Sequence, residues 1–456
     1  MSEFIAALPT ASLYDPEEAS EGSIDPLGMY PLSEALALRI GSPGVRERQR
    51  NLRFLTICCV GWEVIGGVRA EAEPGDPNAT LEQCLEWLVV EALAGDPDGE
   101  DDGKIQGLPG ATKAKSCLDR GLHLNADRYL RMASVFGFFG VYRTLAEYIK
   151  LVVRGSEEGA ILGDGGVRLL TAWRNEQGLP GFGRDLIGSG QKEYRCMVAA
   201  LTKVWREGQV VEDRQAFQFI QRYLRHSVVT GKAEAAELRR LLIEPGASEA
   251  DGNRREILKA VESKPAAAIL SEDSPAAEAR FHDLIRPDSS PNLKVILEAV
   301  RAYENFIGAM QNVFDDLLFA LSDHANLIDV KVAAAKIPQL EKRAARFPIL
   351  FKEATAALGR VPGLAERFGV LFGAFGVKSD AVGFLRLLLT HHERVQKDKP
   401  PEGKSPWIER KGDLIAVRLR YRRDAGGSDD GRYVYFYRSR PLFDLLESLK
   451  ADDGKA

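Results

Sequence analysis

Cysteine is scarce in this chain of 456 residues, and its spacing points away from disulfides and metal clusters. The cysteines are odd in number and include no Cys-x-x-Cys pair: Cys58, Cys59, Cys84, Cys117 and Cys196. This pattern is typical of reduced thiols that pack as small apolar side chains. A disulfide framework and a zinc cluster are therefore not predicted. A repeat of fixed period is also absent, which argues against a solenoid.

Long apolar runs and a strong charge of either sign are lacking as well. No segment has the roughly 18 uninterrupted apolar residues that a membrane span needs. Residues 1–16 carry acids and no basic region before an apolar core, so they do not resemble a secretory signal. The net charge of −5 gives no whole-protein attraction to nucleic acid or anionic membranes. We therefore expect a cytoplasmic protein without a membrane partner, in which any polyanion-binding surface is local.

The sequence patterns of common active sites are missing too. The glycine-rich stretches 163–166 and 188–190 lack the lysine and the hydroxyl residue of a phosphate-binding loop. The acidic segment 96–103 is followed by Pro109 where a calcium loop needs a bidentate glutamate. The histidines form no zinc motif, and the adjacent His391 and His392 would point about 100° apart on a helix. No cofactor and no metal site are predicted.

Helical periodicity is what the chain has in abundance. Apolar residues recur at intervals of three and four, which predicts a mainly α, multi-helical fold. The predicted helices of the first part are Val45–Ala70, a second helix capped by Thr80, and the spans 125–153, 164–177, 191–207 and 213–228. Prolines then mark a connecting region with short helices at 231–243, 254–262 and 275–286. We predict domains at 1–243 and 291–396, joined by a connecting region at 244–290.

The clearest predicted element is a long helix at 291–322. Ser290 is a good N-cap, and Pro291 suits the first helical position. The apolar residues of the helix alternate in steps of four and three over more than three heptads: Ile296, Val300, Tyr303, Ile307, Met310, Phe314, Leu317 and Leu321. Two interpretations are open. The seam is either the core of its own domain or a partner interface that contains Ile307 and Phe314.

Beyond Lys397 the pattern changes from helical to alternating. A linker rich in lysine and proline comes first, and residues 397–456 are predicted as a small α+β element. Leu414–Arg422 and Arg432–Arg438 are predicted as the two strands of a β-hairpin with a long Gly/Asp loop. A terminal helix, Pro441–Lys450, is predicted to cover the apolar face of this hairpin with Leu442, Leu445, Leu446 and Leu449.

This C-terminal element is basic and aromatic. Between His391 and Arg440 there are thirteen Lys or Arg residues against eight Asp or Glu residues. Guanidinium groups can contact phosphates, and aromatic rings can stack on bases. The predicted nucleic-acid-binding residues are Arg418, Arg420, Arg422, Arg423, Arg432, Arg438, Trp407 and Tyr435. An ordinary solvated face and a docking site for an acidic partner are the other two interpretations.

A magnesium-dependent nuclease centred on Glu409 and Lys411 is the enzymatic alternative. Such enzymes often hold Mg²⁺ with an Asp and a Glu and place a Lys near the attacking water. Asp398 and Asp413 are the nearby aspartates. In that type of site the Asp and the Glu-x-Lys lie on successive strands, whereas Glu409 is predicted to precede its strand. A non-enzymatic role is therefore favoured.

Six segments of the chain together carry a family resemblance: Ser23–Tyr30, Pro43–Arg48, Arg53–Thr56, Ser134–Arg143, Phe314–Asp316 and Val395–Trp407. They resemble segments of a bacterial protein family found in anti-phage defence gene clusters, beside helicases and nuclease-like proteins. The resemblance implies a context and transfers no catalytic residues. We expect a non-catalytic subunit of a defence complex that contacts DNA or a helicase or nuclease-like partner through the basic hairpin. A pure protein–protein scaffold is the further alternative.

Overall fold

The structure is a computed structural model that describes residues 25–41, 44–45, 48–49, 51–71, 78–96, 108–155, 159–225, 231–244, 249–272, 274–324, 326–399, 403–427 and 432–449. It is mainly helical with two small antiparallel sheets, which confirms the predicted fold class. The chain divides into two compact units. Unit 1 comprises Met1–Ala37 and Ala268–Phe436, and unit 2 comprises Leu38–Ala267 and Tyr437–Ala456. The predicted domain limits at 243, 290 and 396 do not coincide with this division.

Unit 2 is a helical unit with one β-hairpin. Helices α1 (Tyr30–Gly41) and α12 (Lys264–Leu270) each contain a unit boundary. The helices within unit 2 are α2 (Arg53–Glu71), α3 (Leu81–Ala94), α4 (Ala111–Leu118), α5 (Ala133–Phe136), α6 (Phe138–Tyr148), α7 (Asp164–Glu176), α8 (Gln191–Glu207), α9 (Arg214–Tyr223), α10 (Lys232–Ile243), α11 (Glu249–Val261) and α19 (Arg440–Glu447). Its strands are β1 (Val152–Gly155) and β2 (Gly159–Leu162), which pair antiparallel.

The core of unit 2 is built around α2 and α3. Helix α2 is buried almost all round because apolar residues cover every side of it, and it packs against α3, α6, α7 and α8. The predicted cap of α3 is confirmed: Thr80 Oγ1 accepts the N–H of Gln83, and Gln83 Oε1 accepts the N–H of Thr80. The single helix predicted at 125–153 is wrong, since α5, α6 and β1 occupy that span.

Unit 1 contains the longest helix of the described chain. Its helices are α13 (Pro275–Ile285), α14 (Pro291–Ser322), α15 (Val330–Lys336), α16 (Leu340–Leu358), α17 (Leu364–Phe372) and α18 (Ala381–Lys397). Its strands are β3 (Ile328–Asp329), β4 (Ile408–Lys411) and β5 (Leu414–Val417), in the sheet order β3–β5–β4. The predicted span of the long helix is confirmed, and the Ser290 hydroxyl accepts the N–H of Leu293 at its start.

The seam of α14 lies in the core of unit 1. All eight seam residues are buried, and α14 packs against α15 and α16. Ile307 and Phe314 have no exposed surface. A partner interface needs accessible side chains, so the structure does not offer these two residues to a partner. Of the two interpretations of the seam, the core is the one that matches these positions.

The C-terminal hairpin differs from the predicted one. Strand β5 ends at Val417 and pairs with β4, which precedes it, across a two-residue turn of Gly412 and Asp413. Gly412 has φ +66°, the left-handed conformation that such a turn requires. Leu419–Tyr421 forms a 3₁₀ turn, and the described part of 432–438 contains no strand. The prediction failed because alternation shows that a segment can be a strand but does not show which segment pairs with it.

The terminal helix also differs in its packing. Helix α19 belongs to unit 2, where it packs against α11, whereas the β4–β5 hairpin belongs to unit 1. The predicted covering of the hairpin by this helix stays a prediction. Most of the acidic segment 96–103, residues 400–402 of the linker and residues 428–431 of the predicted hairpin loop lie outside the described residues. Within the part of the chain that is described, no helix combines the length and apolarity needed to cross a bilayer.

Candidate nucleic-acid interface

The arginine-rich segment of unit 1 lies along helix α14. We call residues 418–427 and 432–436 the arginine strap. Three backbone N–H groups of the strap donate to side-chain oxygens of α14: Arg423 to Ser322 at 2.8 Å, Gly427 to Asp316 at 2.8 Å and Val434 to Glu304 at 2.6 Å. Because the strap numbers rise while the helix numbers fall, the strap runs antiparallel to α14. It is thus a segment fastened to the helix, not a free-standing finger.

Two glycines allow the strap to lie this close to the helix. A Cβ atom on Gly427 would lie 2.6 Å from the carbonyl oxygen of Asn312, and one on Gly426 would collide with Asp316. Real Cβ atoms do not come this close to other heavy atoms, so only glycine fits at these two positions without a shift of the strap or the helix. The Ala-Gly-Gly sequence of the predicted hairpin loop therefore serves close packing on α14.

The strap presents a cluster of cations to solvent. Its exposed basic residues are Arg418, Arg420, Arg422, Arg423 and Arg432. Arg422 Nη2 donates to the carbonyl oxygen of His324 at 3.2 Å. Among the residues that the structure describes, no carboxylate lies within ion-pair distance of the Arg418, Arg422 or Arg423 guanidinium. These charges are available to an anion from solution.

Tertiary structure adds a further cation to this cluster. The exposed Lys336 Nζ, at the end of α15, contacts Nε2 of His324, whose carbonyl group binds Arg422. Nothing in the local sequence marks this lysine, because it lies more than eighty residues before the strap. Asp323 and Asp424 are exposed in the same stretches and reduce the local charge. The net charge of the exposed cluster remains positive.

A partly shielded carboxyl group lies beneath two of the arginines. Burial raises the pKa of Asp315, and the positive charges of Arg423 and Arg432 oppose that rise. Gln311 Nε2 also donates to Asp315 Oδ1 at 3.0 Å. Both arginines thus favour the charged form of the same carboxyl group.

Two of the predicted nucleic-acid contacts are buried, and a third is half-buried. Trp407 is 5% exposed, and its ring stacks on Tyr421. Tyr435 is half-buried, with its ring 5.8 Å from that of Tyr30, and burial raises its pKa far above the usual range. Arg438 is 3% exposed and belongs to unit 2. These side chains contribute to packing, because aromatic and guanidinium groups can pack inside a protein as well as stack on a nucleic-acid base.

The residues of the nuclease alternative do not form a metal site. Glu409 and Lys411 lie on β4 with Oε1 and Nζ 3.8 Å apart. Asp413 accepts two hydrogen bonds from Arg386, at 3.0 and 2.6 Å, and these bonds lower its pKa. Among the described residues, no group of three His, Cys, Asp or Glu side chains is placed to hold a metal ion. This arrangement fits an exposed ion pair better than a pair of magnesium ligands.

The two histidines of α18 bind the N-terminal segment of unit 1. His391 Nε2 lies 2.8 Å from the carbonyl oxygen of Leu27, and His392 Nδ1 lies 2.8 Å from that of Pro26. Both imidazoles are buried, which lowers the pKa of each to about 4. The segment Asp25–Tyr30 is thereby attached to the core of unit 1. The sequence predicted that the two histidines would not chelate a common ion, and that a position near the helix end would favour cationic rings. The second prediction is wrong, because burial favours the neutral form of both rings.

Comparison of the chain with protein-family models, with curated proteins and with solved structures gives no match. The geometry of the arginine strap is therefore the basis for a functional proposal.

Proposed function

We propose that this protein is a non-catalytic subunit that binds DNA through the arginine strap of unit 1. The observation that carries the proposal is the strap itself, which holds five exposed arginines on a backbone fixed to α14 by three hydrogen bonds. A fixed backbone reduces the conformational entropy lost when the side chains bind phosphates. Membership of an anti-phage defence assembly, with a helicase or nuclease-like partner, belongs to the same proposal.

An ordinary solvated face is the competing explanation. A comparison of the strap arginines with other exposed arginines argues against it. Exposed arginines elsewhere in the described chain commonly pair with a carboxylate, as Arg143 does with Glu147 and Arg168 with Glu237. Arg418, Arg422 and Arg423 lack such a carboxylate among the described residues. Clustered cations repel one another, and a polyanion relieves that repulsion.

The salt dependence of DNA binding tests the proposal. The full chain is titrated against a labelled duplex and a labelled single strand over about 50 to 200 mM salt. We expect the variant R418Q/R422Q/R423Q to bind at least tenfold more weakly at low salt. Its plot of log affinity against log salt should also be less steep, by about 0.9 for each duplex phosphate that the variant no longer neutralises.

The control replaces the same number of charges at paired sites. R143Q/R168Q/R239Q removes three exposed arginines that pair with Glu147, Glu237 and Glu262. This variant should bind DNA as the parent protein does. Absence of binding at low salt, or equal losses of affinity in both variants, would rule out the strap as the DNA-binding surface.

A further inference from the structure

Helix α8 of unit 2 carries a basic stripe that the proposed function does not use. The residues of its buried face are Tyr194, Met197, Val198, Ala200, Leu201 and Val204. The exposed residues of the opposite face are Lys192, Arg195, Ala199, Lys203 and Arg206. At about 100° per residue, these five positions fall within a sector roughly 80° wide. The exposed Glu207, the last residue of α8, lies about 40° outside this sector. We call Lys192, Arg195, Lys203 and Arg206 the α8 stripe.

The stripe contains no carboxylate partner for its cations. Among the residues that are described, no acidic group lies within ion-pair distance of any of the four side chains. On α10 of the same unit, by contrast, Arg239 pairs with Glu262, and Arg240 pairs with Glu237 and Glu244. On the solvated face of α10, cations therefore have carboxylate partners. The α8 stripe departs from that pattern.

The spacing of the four cations is locally unfavourable. Lys192 and Arg195 are three residues apart, and so are Lys203 and Arg206. Side chains three residues apart are neighbours on a helix, and like charges at that spacing destabilise it. An anionic ligand would turn each repulsive pair into a site where two cations share one or two phosphates.

The two pairs are also well separated along the helix. Their midpoints are 11 residues apart, as read from the sequence. A rise of 1.5 Å per residue places them roughly 16 Å apart along the axis. Ala199, which lies between them, has a small side chain that leaves room for a ligand to pass close to the helix. Such a surface suits an extended ligand with repeated negative charges.

We propose that the α8 stripe binds the phosphate backbone of a nucleic acid. A helix that lies in a membrane surface needs an apolar side for the acyl chains, but the apolar side of α8 is in the core of unit 2. With one face embedded in the core, α8 can lie along a backbone but has no free second face to fill a groove. Contacts to phosphates carry no sequence information, so binding should show little sequence preference.

The test compares two variants of the full chain in nucleic-acid binding. K192Q/R195Q/K203Q/R206Q removes the stripe while keeping good helix-forming residues. R143Q/R168Q/R239Q/R240Q removes four paired arginines from the same unit. We expect the affinity of the stripe variant to fall at least tenfold at low salt. Its salt slope should decrease by about 0.9 for each duplex phosphate that it no longer neutralises, while the control stays unchanged.

Separate arms identify the ligand and keep the two proposals distinct. Duplex DNA, single-stranded DNA and RNA are titrated in parallel, with vesicles containing phosphatidylserine as a fourth arm. Loss of vesicle binding alone, or equal losses of affinity in stripe and control variants, would overturn the proposal. A loss confined to the stripe variant, with R418Q/R422Q/R423Q unaffected, would support the stripe and reject the strap. Circular dichroism of both variants checks that the helices are intact.

Discussion

Trp407 stacks on Tyr421 with ring centroids 4.3 Å apart and an interplanar angle of 7°. Trp407 precedes β4, and Tyr421 ends the 3₁₀ turn that follows β5, so the stack joins the two ends of the hairpin. The N–H of Arg418 also donates to the carbonyl oxygen of Trp407 at 3.0 Å. The ring of Phe314, which is fully buried in the core of unit 1, lies 6.0 Å from that of Trp407. The start of the arginine strap is thus attached to the core of unit 1 through one indole ring.

Replacing this indole should destabilise unit 1. We expect Trp407→Ala to lower the free energy of unfolding by about 3 to 5 kcal/mol, because it leaves a large cavity. Trp407→Phe should cost less, since a ring remains to stack on Tyr421. Urea denaturation measures both values. Val370→Ala is the control, because Val370 is 73% exposed and its truncation should change stability by less than about 0.5 kcal/mol. Equal effects of the alanine variants would contradict the packing role.

The close approach of the strap to α14 gives a second prediction. Gly427→Ala should displace the strap, because its Cβ atom would meet the backbone of Asn312. We expect faster hydrogen exchange at Arg423 and Gly427 and weaker DNA binding, although every arginine is retained. Exchange followed by mass spectrometry and the DNA titration measure the two effects.

The matched control for this variant is Gly369→Ala in α17. Nothing lies within 4 Å of a Cβ atom at Gly369, so alanine should be neutral or slightly stabilising there. Unchanged exchange in Gly427→Ala would show that the strap does not depend on close contact with the helix.

Elements with local signals were predictable from the sequence. Helix α14 begins where Ser290 and Pro291 place it, and α8 occupies the predicted span 191–207. The pairing partner of β5 was not predicted, because alternation in Leu414–Arg422 suits any neighbouring strand. Gly412 and Asp413 form a two-residue turn, which was the local signal for pairing with β4.

The candidate site was predictable in composition but not in exposure. The basic residues of the strap were evident, yet the same reasoning counted Trp407 and Tyr435 as ligand contacts. An aromatic residue beside arginines is equally compatible with a core and with a binding surface. Tertiary contacts decide between the two, as the rings of Tyr421 and Tyr30 do here. Lys336 shows the converse, since only the fold brings it to the cluster.

A buried ion pair in unit 2 leads to a third prediction. Arg53 and Glu234 are 2% and 0% exposed and are in direct contact, and Arg53 Nη2 also donates to the carbonyl oxygen of Tyr223 at 2.8 Å. Burial raises the pKa of Glu234, and the charge of Arg53 opposes that rise. Glu234→Ala should cost about 3 to 5 kcal/mol, because it leaves a buried guanidinium without its carboxylate.

The double variant R53M/E234L separates the ion pair from packing. It replaces both charges by apolar groups of similar length, so we expect it to be more stable than Glu234→Ala. Urea denaturation of the parent protein, R53M, E234L and R53M/E234L completes a double-mutant cycle, and Glu234→Ala is measured beside it. A double variant less stable than the single one would show that the pair itself is strongly stabilising.

The Gly-Phe-Phe-Gly segment at residues 137–140 of unit 2 leads to a fourth prediction. Glu86 accepts hydrogen bonds from the Tyr129 hydroxyl at 2.6 Å and from the N–H of Phe139 at 3.1 Å, and burial raises its pKa to about 7. A Cβ atom on Gly137 would collide with this carboxyl group. Gly137→Ala should therefore destabilise the protein by about 1 to 3 kcal/mol in thermal unfolding. Gly66→Ala, at an open position in α2, should not, and similar losses of stability in both would refute the steric explanation.

The hydrogen bonds of His391 and His392 fix both imidazoles in the neutral form. His392 Nε2 accepts the N–H of Trp407 at 2.9 Å, so its proton is on Nδ1, which faces Pro26. His391 Nδ1 faces Arg394 Nη2 at 3.2 Å, so its proton is on Nε2, which faces Leu27. A second proton would place a ring N–H against the N–H of Trp407 in His392, or against the guanidinium of Arg394 in His391. The two neighbours therefore adopt opposite tautomers.

This arrangement predicts that unit 1 loses stability in mild acid. The pKa of each histidine falls from 6.5 to about 4, mainly because of burial, so the unfolded chain binds more protons between these values. The stabilisation is complete above pH 6.5 and is lost as the pH falls towards 4, by roughly 3 kcal/mol for each ring.

The stability of unit 1 must be measured separately from that of unit 2. Glu86 of unit 2 has a raised pKa, so its contribution to stability changes with pH in the opposite direction. Fluorotryptophan NMR provides such a measurement, because Trp407 is the tryptophan of unit 1 and Trp407→Phe assigns its signal. The urea midpoint of that signal should fall between pH 6.5 and 4 in the parent protein and change less in H391Q/H392Q. Equal pH dependence in the two proteins, or imidazole NMR titrations centred near 6.5, would show that these rings are accessible to protons in the folded state.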